Sequence, residues 1–158
     1  MNKVIFLDVD GVLNDEYTLY GPHKDGFQGL DPDMCDQFAR VVHETKAVVV
    51  LSSTWRIVGG DALEKLERWL ADRGVKIHSH TPALSKGPWG EMRVSRGTEV
   101  QLWLEAYRDE FPGPRILILD DVPDFTRKQL PFLVLTDDRN GGLTQELADK
   151  AIAVLMGT

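Results

Sequence analysis

Two kinds of hydrophobic pattern alternate along the chain. Short apolar runs rich in β-branched residues are typical of buried strands, and segments with an apolar residue every three or four positions are typical of amphipathic helices. The short runs predict strands over residues 3–9, 47–51, 75–78, 115–119 and 132–135. Because strands that alternate with helices form βαβ units on a parallel sheet, the pattern predicts an α/β fold.

Residues that commonly begin helices precede the helical segments. These predicted N-caps are Asp31 (followed by Pro32), Asp61, Ser95 and Thr144. Gly74 predicts the end of the second helix, because glycine readily adopts the left-handed conformation that follows many helices. The segments 14–29 and 79–94 combine glycines, prolines and polar residues, so we interpret the first as a loop or flap and the second as a loop.

Length and composition favour one cytoplasmic domain. The 158 residues suit a single domain over residues 1–158. No apolar run approaches the roughly 18 residues that span a bilayer, so we expect neither a membrane anchor nor a signal peptide. The single cysteine, Cys35, excludes an intramolecular disulfide and suits a reducing compartment. The net charge of −7 argues against broad binding to a nucleic-acid backbone, which needs clustered Lys and Arg.

Carboxylates and hydroxyls follow three of the predicted strands directly. They are Asp8 and Asp10 at the first strand, Ser52 and Ser53 at the second, and Asp120 and Asp121 at the fourth. Ligands of open parallel sheets bind at the carboxyl ends of the strands, where the strand order reverses. We therefore expect a three-layer, Rossmann-like fold with sheet order 3-2-1-4-5, in which Asp8 lies on the central strand.

The residue types at these strand ends suit phosphoryl transfer with Mg²⁺. Aspartates without a nearby His or Cys form the oxygen-only ligand set that Mg²⁺ prefers. Asp8 and Asp10 are two residues apart, so they share one face of an extended strand. Hydroxyls and backbone N–H groups of Ser52 and Ser53 can bind phosphate oxygens, and Arg96 at a predicted helix start adds a positive charge. Together these groups supply what phosphoryl transfer requires.

In order and spacing, these residues resemble the four motifs of the haloacid dehalogenase (HAD) superfamily of phosphatases. The matching positions are residues 6–13 (FLDVDGVL), 49–53 (VVLSS), Arg96 and 118–121 (ILDD). Shorter strings resemble the small Swiss Army Knife RNA-repair branch of that superfamily. They are residues 10–14 (DGVLN), 53–56 (STWR), 96–99 (RGTE) and 142–144 (GLT). The resemblance implies a HAD fold and a Mg²⁺-dependent phosphoric monoester hydrolase.

The resemblance also implies roles for the four aspartates. Asp8 would attack phosphorus and form an aspartyl-phosphate, which divides one difficult displacement into two. Asp10 would protonate the leaving oxygen and then take a proton from the hydrolytic water. Mg²⁺ would be held by the Asp8 carboxylate, the Asp10 backbone carbonyl and Asp121, with Asp120 close behind.

Three further assignments carry alternatives. Ser52 would bind phosphate because it comes first after the strand, and Ser53 is the alternative. Arg96 fits the helix-start position of the third motif, where lysine is more usual in the superfamily, and Lys86 in the preceding loop is the alternative. Arg56 follows the serines, where a substrate contact and a surface salt bridge are both consistent with the sequence. Lys86 is also a candidate substrate contact.

Two other classes of function share part of this pattern. A receiver-like signalling domain also places acidic residues and Mg²⁺ at strand ends, but its phosphorylated Asp follows the third strand, which is predicted here to end at His78. A HAD relative without activity would be a binding module that uses the same fold.

The intervals between the motifs bear on the substrate. HAD enzymes that act on small metabolites usually carry a cap domain after the first motif or between the second and third. In this chain residues 14–46 and 57–95 are taken up by predicted elements, so we expect a capless, open site. An open site can admit a phosphorylated end of a larger molecule. We expect a nucleotide, a nucleic-acid end or another phosphomonoester such as a phosphoprotein.

Overall fold

A parallel five-stranded sheet forms the centre of the protein. The computed structural model describes residues 2–20, 29–53, 60–84 and 94–158, with the backbone alone described at residues 19, 20 and 60. The strands are β1 (Lys3–Leu7), β2 (Val48–Leu51), β3 (Ile77–His80), β4 (Arg115–Asp120) and β5 (Leu133–Leu135). Their order is β3-β2-β1-β4-β5, and every neighbouring pair is parallel. The predicted fold class and strand order are confirmed.

Helices cover both faces of this sheet. They are α1 (Glu16–Tyr20), α2 (Pro32–Thr45), α3 (Gly60–Ala71), α4 (Arg96–Ala106) and α5 (Gln145–Met156). Successive side chains of β1 point to opposite faces. Ile5 and Leu7 therefore pack in one core with α2, α3 and α5, whereas Val4 and Phe6 pack in a second core with α4. Within the described ranges, no helix has the length and apolar character to cross a membrane.

Three of the predicted helix starts are confirmed. The side chains of Asp31, Ser95 and Thr144 each accept a hydrogen bond from a backbone N–H two or three residues later. The fourth prediction is wrong, because α3 already includes Gly60 and Asp61 lies within its first turn. An acidic residue is favourable both as a cap and in the first turn, where it faces the positive end of the helix dipole. The residue type at position 61 therefore does not distinguish the two positions.

The third strand begins two residues later than predicted. Val75 donates its backbone N–H to the Leu70 carbonyl and so completes the C-terminus of α3. Gly74 lies beside it in the left-handed conformation, with φ of +73°. Because the N–H of Val75 serves the helix, pairing with β2 begins at Ile77, opposite Val49. The apolar run at 75–78 thus contains a helix cap as well as a strand start.

Two other segments differ from the prediction in detail. The interval 14–29 begins with the single turn α1, whose Thr18 donates its backbone N–H to Asp15 Oδ1 at 2.7 Å. β5 starts at Leu133 because residues 130–132, with Pro131 among them, form a short 3-10 helix. In both places local hydrogen bonds, from Thr18 to Asp15 and from the Phe132 N–H to the Gln129 carbonyl, form a helical turn that the residue composition did not predict.

The segment after β5 packs against the turn that follows β1. Thr136 Oγ1 donates a hydrogen bond to the Gly11 carbonyl at 2.6 Å, and the Leu143 N–H donates to the Val12 carbonyl at 2.9 Å. Gly142 has φ of +52°, and a Cβ there would lie 2.9 Å from the Val12 carbonyl oxygen. Glycine at 142 therefore permits the close approach of the two segments.

We predict that Gly142→Ala destabilises the protein more than Gly113→Ala does. The two glycines share nearly the same φ, +52° and +53°, so the backbone strain of an alanine is matched. A Cβ at position 113 meets nothing within 4 Å, whereas one at 142 meets Met34 Sδ at 2.8 Å and the Val12 carbonyl. We expect about 1 kcal/mol of backbone strain in both variants and a further loss of about 1–3 kcal/mol in Gly142→Ala. Urea unfolding measures both; equal losses would contradict the packing of residue 142 on the turn.

Candidate active site

Three carboxylates converge where β1 and β4 end. Asp8 follows β1, Asp120 is the last residue of β4, and Asp121 comes next. These strands are direct neighbours in the sheet, so their carboxyl ends lie side by side. One oxygen of each carboxylate lies within 4.8 Å of the other two. Asp8 and Asp120 are 3% and 1% exposed, so both carboxyl groups are almost completely removed from water.

The Arg96 guanidinium links the three strand ends. Its Nη1 lies 3.1 Å from Asp8 Oδ1 and 2.9 Å from Asp120 Oδ2. The same nitrogen donates a hydrogen bond to the Ser52 backbone carbonyl, after β2, at 2.9 Å. One cation therefore offsets part of the repulsion between two buried carboxylates, which would otherwise be strongly destabilising.

Arg96 is placed by the way α4 begins. Its backbone N–H donates to Asp124 Oδ2 at 3.0 Å, and the Gly97 N–H donates to the Asp124 carbonyl at 3.0 Å. The Gln129 side chain, which is 5% exposed, donates from Nε2 to the Gly97 carbonyl. A Cβ on residue 97 would lie 3.0 Å from the Phe125 Cα, so glycine allows this docking. The segment after β4 thus holds both Asp120 and the start of the helix that carries Arg96.

Burial has the largest effect on the ionisation of this cluster. Burial, and then the neighbouring Asp120 carboxylate, raise the pKa of Asp8 well above its ordinary value despite Arg96. Burial raises the pKa of Asp120 to about 6, although Arg96 and the Val122 N–H act against the shift. Burial disfavours the charged form of Arg96, but the two carboxylates outweigh it and raise its pKa. A positive ion at this place would be favourable, since it would stabilise the ionised carboxylates.

Asp10 lies in the turn beside this cluster and not within it. The chain leaves β1 through Gly11, with φ of +81°. A Cβ on Gly11 would lie 2.6 Å from Asp121 Cγ, so glycine lets the Asp121 carboxylate pack against the backbone. Asn14 donates a hydrogen bond from Nδ2 to Asp10 Oδ1 at 3.0 Å, which orients the Asp10 side chain.

The two serines after β2 are both buried. The Ser52 backbone N–H donates to the Leu7 carbonyl at 2.7 Å, which holds Ser52 next to Asp8. Its hydroxyl is buried and makes no hydrogen bond to the described part of the chain. Ser53 is fully buried. A buried hydroxyl without a partner is costly, so the Ser52 Oγ is suited to a ligand oxygen.

The structure thus brings together most of the site residues predicted from the sequence. Arg56 and Lys86 lie outside the described residues, so the choice between Arg96 and Lys86 rests on the contacts of Arg96 alone. The sequence reasoning did not identify Asn14, Asp124 and Gln129 as residues that position the site. Asn14 belongs to the motif at residues 10–14, which resembles the RNA-repair branch, but no role was assigned to it. Asp124 and Gln129 lie in a polar segment without a distinguishing pattern.

A comparison with protein families identifies this arrangement. The family model described as the HAD domain in Swiss Army Knife RNA repair proteins matches residues 4–148. The chain belongs to this family. No curated protein and no solved structure matches it. The match covers β1 from Val4 onward, the other four strands and the acidic cluster, and it supports a phosphatase-type function for this HAD domain. The resemblance to the RNA-repair branch is confirmed, and the match gives no support to the receiver-like alternative.

We predict an unusual pH dependence for the metal-free protein. Because the pKa of Asp120 rises from 3.8 to about 6 on folding, the folded state binds more protons than the unfolded chain in this window. The contribution of this carboxylate to the free energy of unfolding should therefore fall as the pH rises from about 4 to about 6. The raised pKa of Asp8 acts in the same direction.

Two variants separate the contribution of Asp120 to the free energy of unfolding from the contributions of other carboxylates. In urea unfolding with EDTA, Asp120→Asn should gain stability relative to the natural protein between pH 4.5 and 7, on the order of 1 kcal/mol. Asp109→Asn is the matched control, since the Asp109 side chain is fully exposed and should leave the pH profile unchanged. A parallel profile for Asp120→Asn and the natural protein would contradict the raised pKa.

Proposed function

We propose that this HAD domain is a Mg²⁺-dependent phosphatase that hydrolyses phosphomonoesters through an aspartyl-phosphate on Asp8. The observation that carries the proposal is the convergence of Asp8, Asp120 and Asp121 on one point beside Arg96. A nucleophilic carboxylate, a place for a cation and a fixed positive charge are the main requirements of phosphoryl transfer. Membership of the family supports the same class of reaction.

The cluster fits a magnesium ion. Its potential ligands are carboxylate oxygens, which Mg²⁺ prefers. Burial raises the pKa values of Asp8 and Asp120 because it disfavours their charged forms, and a bound cation would stabilise those forms. We assign Asp8 and Asp121 as carboxylate ligands, together with the Asp10 backbone carbonyl, and Asp120 as a neighbouring carboxylate. The ion would neutralise charge on the phosphoryl group and act as a Lewis acid.

The chain's own residues then account for two displacements. In the first, a carboxylate oxygen of Asp8 forms a bond to phosphorus while the bond to the leaving oxygen breaks, and the Asp10 carboxyl gives its proton to that oxygen. In the second, water attacks the phosphorus, Asp10 takes its proton, and the Asp8–phosphorus bond breaks. Inorganic phosphate leaves, and both carboxyl groups return to their starting forms.

Two further groups hold the phosphoryl oxygens in this proposal. Arg96 contacts Asp8 directly, so its charge lies beside the attacking oxygen. The Ser52 hydroxyl is buried next to the same strand end and finds no partner among the described residues. A phosphate oxygen that accepts from this hydroxyl would satisfy it. Ser53 remains the alternative hydroxyl.

The substrate class follows from the openness of the site and from the family. The intervals between the motifs are too short for a cap domain, so the substrate would present a phosphorylated end to an uncovered site. The family name supports ends of nucleic acid, whereas the net charge of −7 favours smaller nucleotides. We propose nucleotides or phosphorylated nucleic-acid ends as the substrates.

We predict that Asp8→Asn abolishes hydrolysis and that Asp10→Asn lowers kcat by roughly 100- to 10,000-fold. Both variants should remain folded, since they remove one of several close, like-charged carboxylates. Hydrolysis of 4-nitrophenyl phosphate and of 3′- and 5′-phosphorylated oligonucleotides measures the effect, and EDTA should stop turnover until Mg²⁺ is restored. Asp109→Asn is the control for the same chemical change at an exposed site. Near-normal turnover by Asp8→Asn would refute the nucleophile, and a folded natural protein without turnover would favour the binding-module alternative.

We predict that Ser52→Ala weakens phosphate binding without weakening the fold. The lost hydroxyl makes no hydrogen bond within the described residues, so the free energy of unfolding should stay within about 0.5 kcal/mol or rise. The inhibition constant for inorganic phosphate should rise about tenfold, which corresponds to one lost hydrogen bond to a charged group. Ser53→Ala is the matched comparison. A larger rise in that variant would transfer the assignment to Ser53.

A further inference from the structure

Asn14 is a polar side chain with three hydrogen bonds beside the proposed site. It is fully buried and lies four residues after Asp10. Its Oδ1 accepts a hydrogen bond from the Gly11 N–H at 2.9 Å. Its Nδ2 donates to the Gly29 carbonyl at 2.6 Å and to Asp10 Oδ1 at 3.0 Å. The amide therefore joins the turn after β1, the chain just before α2, and the Asp10 carboxyl.

The orientation of this amide is determined by its backbone partners. The Gly11 N–H can only donate, so it must face the amide oxygen, and the Gly29 carbonyl can only accept, so it must face the amide nitrogen. A reversed amide would place two donors together and two acceptors together. The NH₂ group is thus directed at Asp10 whichever protonation state Asp10 has.

The turn itself has other supports. Gly11 and Val12 carbonyls accept hydrogen bonds from Thr136 Oγ1 and the Leu143 N–H, and the Leu13 carbonyl accepts from the Asp31 N–H at 2.8 Å. These bonds do not involve the Asn14 side chain. The Asp10 carboxyl, in contrast, lies partly exposed at the edge of the turn. Its Oδ1 accepts the second N–H of the Asn14 amide.

We propose that Asn14 is a positioning residue that orients the acid/base carboxyl of Asp10; the inference rests on the proposed function. An N–H donated to Oδ1 favours the carbonyl-like form of that oxygen in the protonated acid. The proton that passes to the leaving oxygen is then carried on Oδ2. Loss of the Asn14 donor removes one constraint on this carboxyl, and the fraction of molecules with the proton correctly placed falls.

Isosteric and uncharged variants test this role. Asn14→Asp keeps the shape and the acceptor for Gly11 but replaces the donor to Asp10, and Asn14→Ser removes that donor without adding a charge. Asn140→Asp is the matched control, because exposed Asn140 also donates from Nδ2 to an aspartate carboxylate, that of Asp137. The control should behave as the natural protein does.

The leaving group provides a readout that a purely structural role would not change. kcat/KM reports the steps up to the aspartyl-phosphate, in which Asp10 acts as an acid. For a nucleoside 5′-monophosphate, whose alkoxide must be protonated, we expect kcat/KM of the Asn14 variants to fall about 30- to 100-fold. For 4-nitrophenyl phosphate, whose leaving group needs little protonation, we expect a loss within about threefold. Equal losses for both substrates, or no loss, would overturn the proposal.

A second measurement tests whether the loss of activity in the Asn14 variants depends on the Asp10 carboxyl. In an Asp10→Asn background, Asn14→Ser should cause less than about a threefold further loss, because residues that act as a unit are not additive. A full further loss would assign Asn14 a role independent of Asp10 and overturn the proposal.

Binding of beryllium trifluoride with Mg²⁺, followed by ¹⁹F NMR, separates this proposal from the proposed function. The fluoride complex mimics a phosphoryl group on Asp8 and requires no acid. The natural protein and the Asn14 variants should bind it with the same affinity within about threefold. Absence of binding and turnover in the natural protein would overturn the phosphatase function and the role of Asn14 with it. If the natural protein binds the complex and neither Asn14 variant does, Asn14 supports the fold of the site. That result would overturn only the positioning role.

Discussion

The contact between Arg96 and the carboxylates of Asp8 and Asp120 is the interaction on which the site depends. Two nearly inaccessible carboxylates at adjacent strand ends repel each other, and burial adds a desolvation penalty. A single guanidinium nitrogen within 3.1 Å of both reduces this cost. Burial nevertheless raises the pKa values of both aspartates, because it disfavours their charged forms. A divalent cation would stabilise those charged forms, so this place in the fold suits one.

The rest of the fold serves to hold this contact. β1 and β4 are adjacent and pair in register. Asp8, directly after β1, and Asp120, at the end of β4, therefore lie side by side. The start of α4 is fastened to the segment after β4 through Asp124 and Gln129. Arg96 and Asp120 are thus positioned by one continuous piece of structure. Displacement of that segment would move the Arg96 guanidinium and the Asp120 carboxylate together.

The turn after β1 is held from two directions. Thr136 and Leu143 bind its backbone carbonyls from the segment after β5, and Asn14 binds its amide from within. The same Asn14 side chain also donates to Asp10, which is the carboxyl proposed to move protons. Proton transfer is sensitive to small changes of geometry, so an orienting amide beside the acid is a physically reasonable requirement. The HAD domain thereby places its two proposed catalytic carboxylates by different means, Asp8 by burial and Asp10 by a hydrogen bond.

The sequence by itself determined the fold class, the strand order and the residues at the strand ends. Buried strands must be apolar, so the runs that lead into Asp8, Ser52 and Asp120 are visible without coordinates. Local signals were ambiguous where one residue type serves two purposes, as with Asp61 in a first turn and Val75 in a helix cap.

Only the tertiary structure decided the contacts between distant segments. The ion pairs of Arg96, the packing of Gly11 on Asp121 and of Gly142 on Val12, and the unpartnered hydroxyl of Ser52 all depend on which atoms meet in space. Periodicity carries no information about those meetings, because it describes only which face of an element is buried. Asn14 is a further example. The sequence motif that contains it was recognised, but its bonds to Gly11, Asp10 and Gly29 span 3, 4 and 15 residues. These partners come together only when the chain folds back at Gly29.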